Sequence, residues 1–205
     1  MHINGAIFDM DGTLLDSMFI YETVYFDVLA ELGHTADDGL FEGVRKLSGN
    51  EVLNYLRDTY APDRTFEELN ATLDAHLLRF YGNVPMPKSG IMRVLDTLRD
   101  AGVPMCICTA TNRVHVEAAL RRLGLSDYFA HIFTCAEHDT GKLEPKIFLL
   151  AAEFMGAEPT ETVVFEDAKH AIATAKRVGF YVVAVQDNAE NVNRDAIIAT
   201  ADEFY

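Results

Sequence analysis

The chain has no tryptophan, only three cysteines, and no apolar run long enough to cross a membrane. Because a membrane helix needs about 20 consecutive apolar residues, no membrane partner is expected. A small, odd number of cysteines argues against a disulfide framework and favours reduced cysteines in the core of a cytoplasmic protein. The first residues lack a basic segment followed by a long apolar one, so no signal peptide is predicted.

Basic residues are also scarce, with 17 Lys and Arg against 32 Asp and Glu, for a net charge of −15. No Lys/Arg cluster is larger than a pair, and a negative field of this size repels polyanions, so a nucleic-acid partner is disfavoured. The length of 205 residues and the 49% of hydrophobic residues are typical of a globular protein with one domain, or one domain and a small insert.

Short apolar runs rich in β-formers alternate with segments of helical periodicity, which predicts an α/β fold with a parallel sheet. The predicted strands are Ile3–Phe8, Met105–Cys108, His131–Cys135, Thr162–Phe165 and Tyr181–Val185. The predicted helices between them are Ile91–Ala101, Val114–Leu123, Glu144–Met155 and Ala168–Val178.

Between about Asp16 and Val84 the sequence has helical periodicity and no convincing strand. Apolar residues share one helix face in two stretches, namely Tyr21, Val24, Tyr25, Val28 and Leu32, and Phe66, Leu69, Leu73, Leu77 and Phe80. A helical insert after the first strand of a parallel sheet indicates a cap. We therefore expect an α/β core domain of residues 1–15 and 86–205, with an all-helical cap domain of residues 16–85.

Acidic residues stand at the ends of two predicted strands. Asp9 and Asp11 follow the first strand, and Glu166 and Asp167 end a later one. Side chains at positions i and i+2 of a strand end point the same way, towards the edge where open α/β sheets bind ligands. Carboxylates that converge there repel one another unless a cation lies among them, and hard oxygen ligands suit Mg²⁺.

Two candidate donors of hydrogen bonds stand near the same edge. Thr109 ends the Met105–Cys108 strand, and Lys142 lies in the loop before the Glu144–Met155 helix. A hydroxyl and an ammonium group can both bind an oxyanion. Together with the acids and a metal ion, they describe a site for phosphoryl transfer.

The four pieces DMDGT, CTATN (with Thr109), GKLEP (with Lys142) and FEDA resemble, in order, the four motifs of the haloacid dehalogenase superfamily. The similarity spans nearly the whole chain, and the helical insert is typical of the phosphoglycolate phosphatase and β-phosphoglucomutase group. The resemblance implies a Rossmann-like, doubly wound parallel sheet and a Mg²⁺-dependent enzyme that acts on a small phosphorylated metabolite.

The resemblance also implies roles for the motif residues. Asp9 would attack phosphorus and form an aspartyl-phosphate, and Asp11 would act as general acid and then general base. Mg²⁺ would be held by Asp9, the backbone carbonyl of Asp11 and Asp167, with Glu166 acting directly or through water. Thr109 and Lys142 would hold the transferring oxygens.

Three further residues are predicted to bind substrate. Ala110 follows Thr109, and Arg45 and Asn50 lie in the run VRKLSGNE, which resembles the cap loop that contacts the leaving group in relatives.

Two positions depart from the usual third motif. Leu143 stands where proline is common, and Lys146 stands where an acid is common.

Hydrolysis is the predicted reaction, and two alternatives remain open. Thr13 is typical of the phosphatases of this family, whereas β-phosphoglucomutases generally carry valine there and a histidine near the position of Tyr21. A phosphotransferase of that kind is the first alternative, and a non-catalytic regulatory module that binds phosphate and Mg²⁺ is the second. Sugar phosphates, phosphoglycolate and nucleoside monophosphates are candidate substrates for a monomer or weak homodimer.

Overall fold

The computed structural model describes residues 2–35 and 49–205. Six strands form a parallel sheet in the order β5-β4-β1-β6-β7-β8, and two shorter strands form an antiparallel pair. The strands are β1 (Gly5–Phe8), β2 (Leu15–Asp16), β3 (Met86–Pro87), β4 (Met105–Thr109), β5 (His131–Thr134), β6 (Thr162–Glu166), β7 (Tyr181–Ala184) and β8 (Glu203–Phe204). The predicted α/β class with a parallel sheet is confirmed.

The described helices are α1 (Ile20–Glu31), α2 (Gly49–Tyr60), α3 (Phe66–Asn83), α4 (Ile91–Asp100), α5 (Arg113–Leu123), α6 (Lys146–Met155), α7 (Lys169–Arg177) and α8 (Arg194–Thr200). Three short 3₁₀ helices span Ser126–Tyr128, Pro159–Glu161 and Asn188–Asn193. Within the described ranges, no helix is both long enough and apolar enough to span a bilayer.

The strand order reverses beside β1, which pairs with β4 on one side and with β6 on the other. The chain runs from β1 to β4 and β5, and then returns to β6, β7 and β8 on the far side. Open α/β sheets bind ligands outside the carboxyl ends of their strands at such a reversal. The fold therefore brings the loops after β1, β4 and β6 to one edge.

Helices cover both faces of the sheet, as the doubly wound arrangement requires. On one face, Ile7, Cys108 and Val164 of the sheet share a buried cluster with residues of α6, α7 and α8, including Phe148 and Ile172. The three cysteines are buried and free. Burial raises the pKa of the Cys106 thiol to about 11, which keeps that thiol protonated and unreactive.

The chain divides into two compact units, one of Met1–Met18 with Pro85–Tyr205 and one of Phe19–Val84. The second unit is helical in its described part, and α1 packs on α3 within it. Thr65 caps α3 by accepting from the Glu68 amide at 3.2 Å, while the Glu68 side chain accepts from the Thr65 amide at 2.9 Å. This reciprocal capping fixes where α3 begins.

Seven small elements were not predicted, namely the three 3₁₀ helices, β2, β3, α8 and β8. The antiparallel pair of β2 and β3 lies where the chain leaves and rejoins the first unit. Near the carboxyl end, α8 leads into β8, which pairs with β7. A strand of two residues has no detectable period, so its formation depends on neighbours distant in sequence.

Candidate active site

The loop after β1 is held close to β6. The Asp9 amide donates to the Phe165 carbonyl at 3.0 Å, so Asp9 continues the pairing of the two strands. Gly12 has a φ of +83°, and a Cβ atom at this position would lie 2.7 Å from Cγ of Asp167. Glycine is therefore required both by the backbone conformation and by the approach of the Asp167 carboxylate.

Three buried carboxylates gather at this edge of the sheet. Asp9 follows β1, Glu166 ends β6 and Asp167 comes next along the chain. One oxygen atom from each lies within 4.8 Å of the other two. Exposed acidic groups are common without a ligand, but these residues are only 1–6% exposed, so the mutual repulsion of their carboxylates is poorly screened by water.

Lys142 supplies the positive charge inside the cluster. Its Nζ atom donates to Asp9 Oδ1 and, at 2.8 Å, to Glu166 Oε2. The other oxygen of Glu166 accepts from the Ala168 amide at 3.1 Å. Glu166 therefore orients the ammonium group towards Asp9, a function that its place in the FEDA motif does not reveal.

Without a bound cation, burial and mutual repulsion favour the protonated forms of Asp9 and Asp167. Burial, followed by the charge of Glu166, raises the pKa of Asp9 to about 8 against the opposing effect of Lys142. Burial, followed by the charges of Glu166 and Asp9, raises the pKa of Asp167 well above its usual range. Burial alone would lower the pKa of Lys142, but Asp9 and Glu166 outweigh it and raise that pKa.

The donor set fits a divalent cation. Three carboxylates and one ammonium group sum to a charge of −2 when all are ionised, which is the charge that one divalent ion neutralises. The available ligand atoms are oxygens, as Mg²⁺ prefers. Both oxygens of Glu166 accept hydrogen bonds, one from Lys142 and the other from the Ala168 amide. Asp9 and Asp167 each accept through one oxygen in the described side-chain contacts, so they are the carboxylates best placed to hold the ion.

The Asp11 carboxylate is not part of this three-acid group and is bound by two hydroxyls. Ser17 Oγ donates to Oδ1 and Thr111 Oγ1 donates to Oδ2, each at 2.6 Å. Sequence reasoning missed both hydroxyls. Ser17 lies only six positions beyond Asp11, so its proximity in sequence was a usable signal. Thr111 is 100 positions from Asp11 and gave no such signal. The pair fixes the orientation of the Asp11 side chain.

Thr109 and Thr13 are buried at the same edge. Thr109 Oγ1 accepts from the Thr111 amide at 3.0 Å, and its hydroxyl hydrogen has no acceptor among the described residues. Thr13 Oγ1 donates to Asp167 Oδ1 at 2.8 Å, which orients that carboxylate. Ala110, between Thr109 and Thr111, is exposed.

The remaining predicted residues are placed as follows. Arg45 lies outside the described residues, and Asn50 lies at the start of α2, where only its backbone is described. Leu143 is exposed, and its carbonyl accepts from Thr174 and Arg177 of α7. Lys146 Nζ donates to the His138 carbonyl at 2.6 Å, away from the carboxylates.

The raised pKa of Asp9 predicts how the metal-free protein responds to pH. The carboxyl titrates near 4 in the unfolded chain and at about 8 in the fold, so the folded state holds the extra proton between those values. Its contribution to stability is complete below about pH 4 and is lost as the pH rises towards 8. In EDTA, we expect the free energy of unfolding to fall by as much as about 1.4 kcal/mol per pH unit.

Urea unfolding at about pH 6 and pH 8 measures this slope. The Asp9→Asn variant should have a flatter profile, because its amide does not titrate. Equal slopes in the two proteins would show that Asp9 is not the group responsible.

Comparison with known proteins relates the chain to a family of hydrolases. A sequence model of the haloacid dehalogenase-like hydrolases matches residues 3–179. The fructose-1-phosphate phosphatase YqaB of Escherichia coli is 31% identical over 194 residues, which cover 89% of this chain and 96% of that protein. The phosphorylated carbohydrates phosphatase of Thermotoga maritima is 26% identical over 177 residues, covering 86% and 82% respectively.

The fold is shared with a solved structure as well. The crystal structure of CbbY from Rhodobacter sphaeroides in complex with phosphate superposes with a TM-score of 0.83 at 20% identity, covering 99% of this chain and 93% of that one. The family match extends from the strand before Asp9 to the residues beyond α7. The chain is therefore a member of the haloacid dehalogenase-like hydrolase family.

Proposed function

We propose that this protein is a Mg²⁺-dependent phosphatase that hydrolyses a small phosphorylated metabolite through an aspartyl-phosphate on Asp9. The observation that carries the proposal is the buried group of Asp9, Glu166 and Asp167 with Lys142 inside it. A buried carboxylate beside an ammonium group and a divalent-cation site is suited to attack an anionic phosphoryl group. A divalent cation bound beside Lys142 would lower the pKa of Asp9 and keep its carboxylate ionised.

In the first half-reaction, an Asp9 oxygen forms a bond to phosphorus as the bond from phosphorus to the leaving oxygen breaks. Asp11 donates a proton to that oxygen, so the product leaves as an alcohol. The hydroxyls of Ser17 and Thr111 hold the Asp11 carboxyl in one orientation. The phosphoryl oxygens are bound by the Thr109 hydroxyl and the Lys142 ammonium group.

In the second half-reaction, a water molecule attacks phosphorus and the bond to Asp9 breaks, which releases inorganic phosphate. Asp11, now deprotonated, takes a proton from that water. Mg²⁺, held by Asp9, Asp167 and the Asp11 carbonyl, would offset the repulsion between the carboxylate and the phosphate and stabilise charge on the phosphoryl oxygens. The Thr13 hydroxyl keeps Asp167 oriented for this task.

A sugar or polyol phosphate is the substrate class we favour, because the two phosphatases compared above act on phosphorylated carbohydrates by name. The helical unit Phe19–Val84 would act as the cap that shields the reaction from water. Arg45 and Asn50 stay as predicted contacts to the leaving group, and Ala110 as a predicted contact to the phosphoryl group.

The test is release of phosphate from p-nitrophenyl phosphate with Mg²⁺ and with EDTA, followed by a panel of sugar phosphates, phosphoglycolate and nucleoside monophosphates. We expect turnover that requires the metal and is fastest on a phosphorylated sugar or polyol. Metal-independent turnover would contradict the proposed site.

A sugar-phosphate mutase is the outcome that most needs to be separated from a phosphatase. In that case, β-glucose 1-phosphate with a catalytic amount of the bisphosphate would give an isomerised sugar phosphate with little free phosphate. An absence of both reactions, with Mg²⁺ still bound in a calorimetric titration, would instead indicate a silent regulatory module.

A further inference from the structure

We propose that Arg113 and Glu137 are positioning residues that hold together the two loops from which Asp11 and Lys142 are oriented. The β4 loop comprises residues 110–112, and the β5 loop comprises residues 135–145. The inference rests on the proposed function, since it assigns to this ion pair an effect on the rate of the same reaction.

The geometry of the pair is specific. Arg113 Nε donates to Glu137 Oε1 at 2.6 Å and Arg113 Nη2 donates to Glu137 Oε2 at 2.8 Å. The same Nη2 atom donates to the Ile132 carbonyl of β5 at 2.7 Å. Two parallel bonds from a planar guanidinium fix both the distance and the angle between partners, which a lysine would not do.

Each partner lies on a segment that supports or carries a residue of the site. Arg113 begins α5 two positions after Thr111, whose hydroxyl donates to Asp11. Glu137 lies in the β5 loop that leads to Lys142, and its amide donates to Thr134 Oγ1 at 3.3 Å. The ion pair thus connects the β4 loop, whose Thr111 holds Asp11, with the β5 loop, which carries Lys142.

A backbone hydrogen bond also joins the ends of the two strands that lead into these loops. The Cys135 amide donates to the Thr109 carbonyl at 2.8 Å, where β4 and β5 end. Beyond that bond, the Arg113–Glu137 pair is the charged link between the two segments among the described residues. The hydrogen bond from Arg113 lowers the pKa of Glu137 to about 2, so the pair stays charged throughout the range in which enzymes operate.

The pair is better suited to fixing geometry than to stabilising the fold. The side chains are 35% and 40% exposed, and ion pairs this accessible contribute little to folding. A displacement of about 1 Å at a site can nevertheless lower a rate by about 100-fold. Loss of the pair should therefore affect turnover more than stability.

The test compares Glu137→Gln with Glu117→Gln. Glu117 is a matched control, because its Oε1 lies 3.8 Å from Nη1 of the same arginine. Both residues of that pair belong to α5, so their contact does not connect the two loops. With a phosphoryl substrate and saturating Mg²⁺, we expect Glu137→Gln to lower kcat about 10-fold with KM changed less than about two-fold. Arg113→Lys should lower kcat similarly, and the double variant should be no slower than either single one.

Equal kcat values for the wild type, Glu137→Gln and Glu117→Gln would overturn the proposal, as would additive losses in the double variant. A wild type without turnover would instead contradict the proposed function, and the pair would then be tested by hydrogen exchange. In Glu137→Gln, faster amide exchange in both loops together supports the link. Faster exchange confined to the β5 loop overturns it.

Discussion

Replacing Asp9 with asparagine should abolish phosphate release, with a fall in kcat on the order of 10⁵-fold or more. The substitution preserves shape and replaces the anionic carboxylate with a neutral amide, and no other carboxylate among residues 2–35 and 49–205 is placed to substitute for it. Glu166 is bound by Lys142 and the Ala168 amide, Asp167 accepts from Thr13, and Asp11 accepts from Ser17 and Thr111. Steady-state phosphate release, with single turnovers to detect slow residual chemistry, measures the loss.

The Asp127→Asn variant is the control for Asp9→Asn, because it makes the same chemical change at an exposed position in the Ser126–Tyr128 turn. Its activity should equal that of the wild type. The Asp9→Asn protein should remain folded and, in EDTA at about pH 8, should be more stable than the wild type, since it no longer buries a carboxylate with an elevated pKa. Near-normal activity in Asp9→Asn would eliminate Asp9 as the nucleophile.

Replacing Lys142 with methionine should destabilise the metal-free protein by about 3–5 kcal/mol. The ammonium group is buried and is the partner of both Asp9 and Glu166. Without it, two buried carboxylates lose their counter-charge while the apolar stem is retained. The loss should increase with pH, because protonation of Asp9 relieves part of the repulsion at low pH, and Mg²⁺ should restore part of the stability. Urea unfolding with and without Mg²⁺ measures both effects.

Lys146→Met provides the comparison for Lys142→Met. It removes the same charge four positions later, from an exposed side chain that bonds only to a carbonyl in its described contacts. Its cost should be about 1 kcal/mol or less and independent of pH. Similar costs for the two lysine variants would mean that Lys142 does not compensate the charge of the carboxylates.

Much of the sheet was predictable, because its strands combine apolar composition with clear stop signals. The run Val163–Phe165 ends at acids, and Met105–Cys108 ends at a threonine. In a parallel sheet these ends must share one edge, so the gathering of Asp9, Glu166 and Asp167 follows from the sequence once the strands are recognised.

The hydrogen bonds within the site were harder to predict from the sequence. Thr13 and Asp167 are 154 positions apart, and Thr111 and Asp11 are 100 apart. Hydroxyl groups bond to whatever acceptor the fold brings within reach, and no periodicity records that choice. For the same reason, the Arg113–Glu137 contact could not be inferred from two unremarkable charged residues on separate elements.

The antiparallel pairing of β2 with β3 has a consequence for how such a protein can change over time. Leu15 faces Pro87 and Asp16 faces Met86, so the chain leaves and rejoins the sheet-bearing unit at neighbouring points. A segment whose ends already meet can be lengthened, shortened or exchanged at little cost in loop-closure entropy and without shifting the register of the strands. The helical segment between β2 and β3 can therefore change in sequence and length during evolution while the residues at the carboxyl edge of the sheet stay the same.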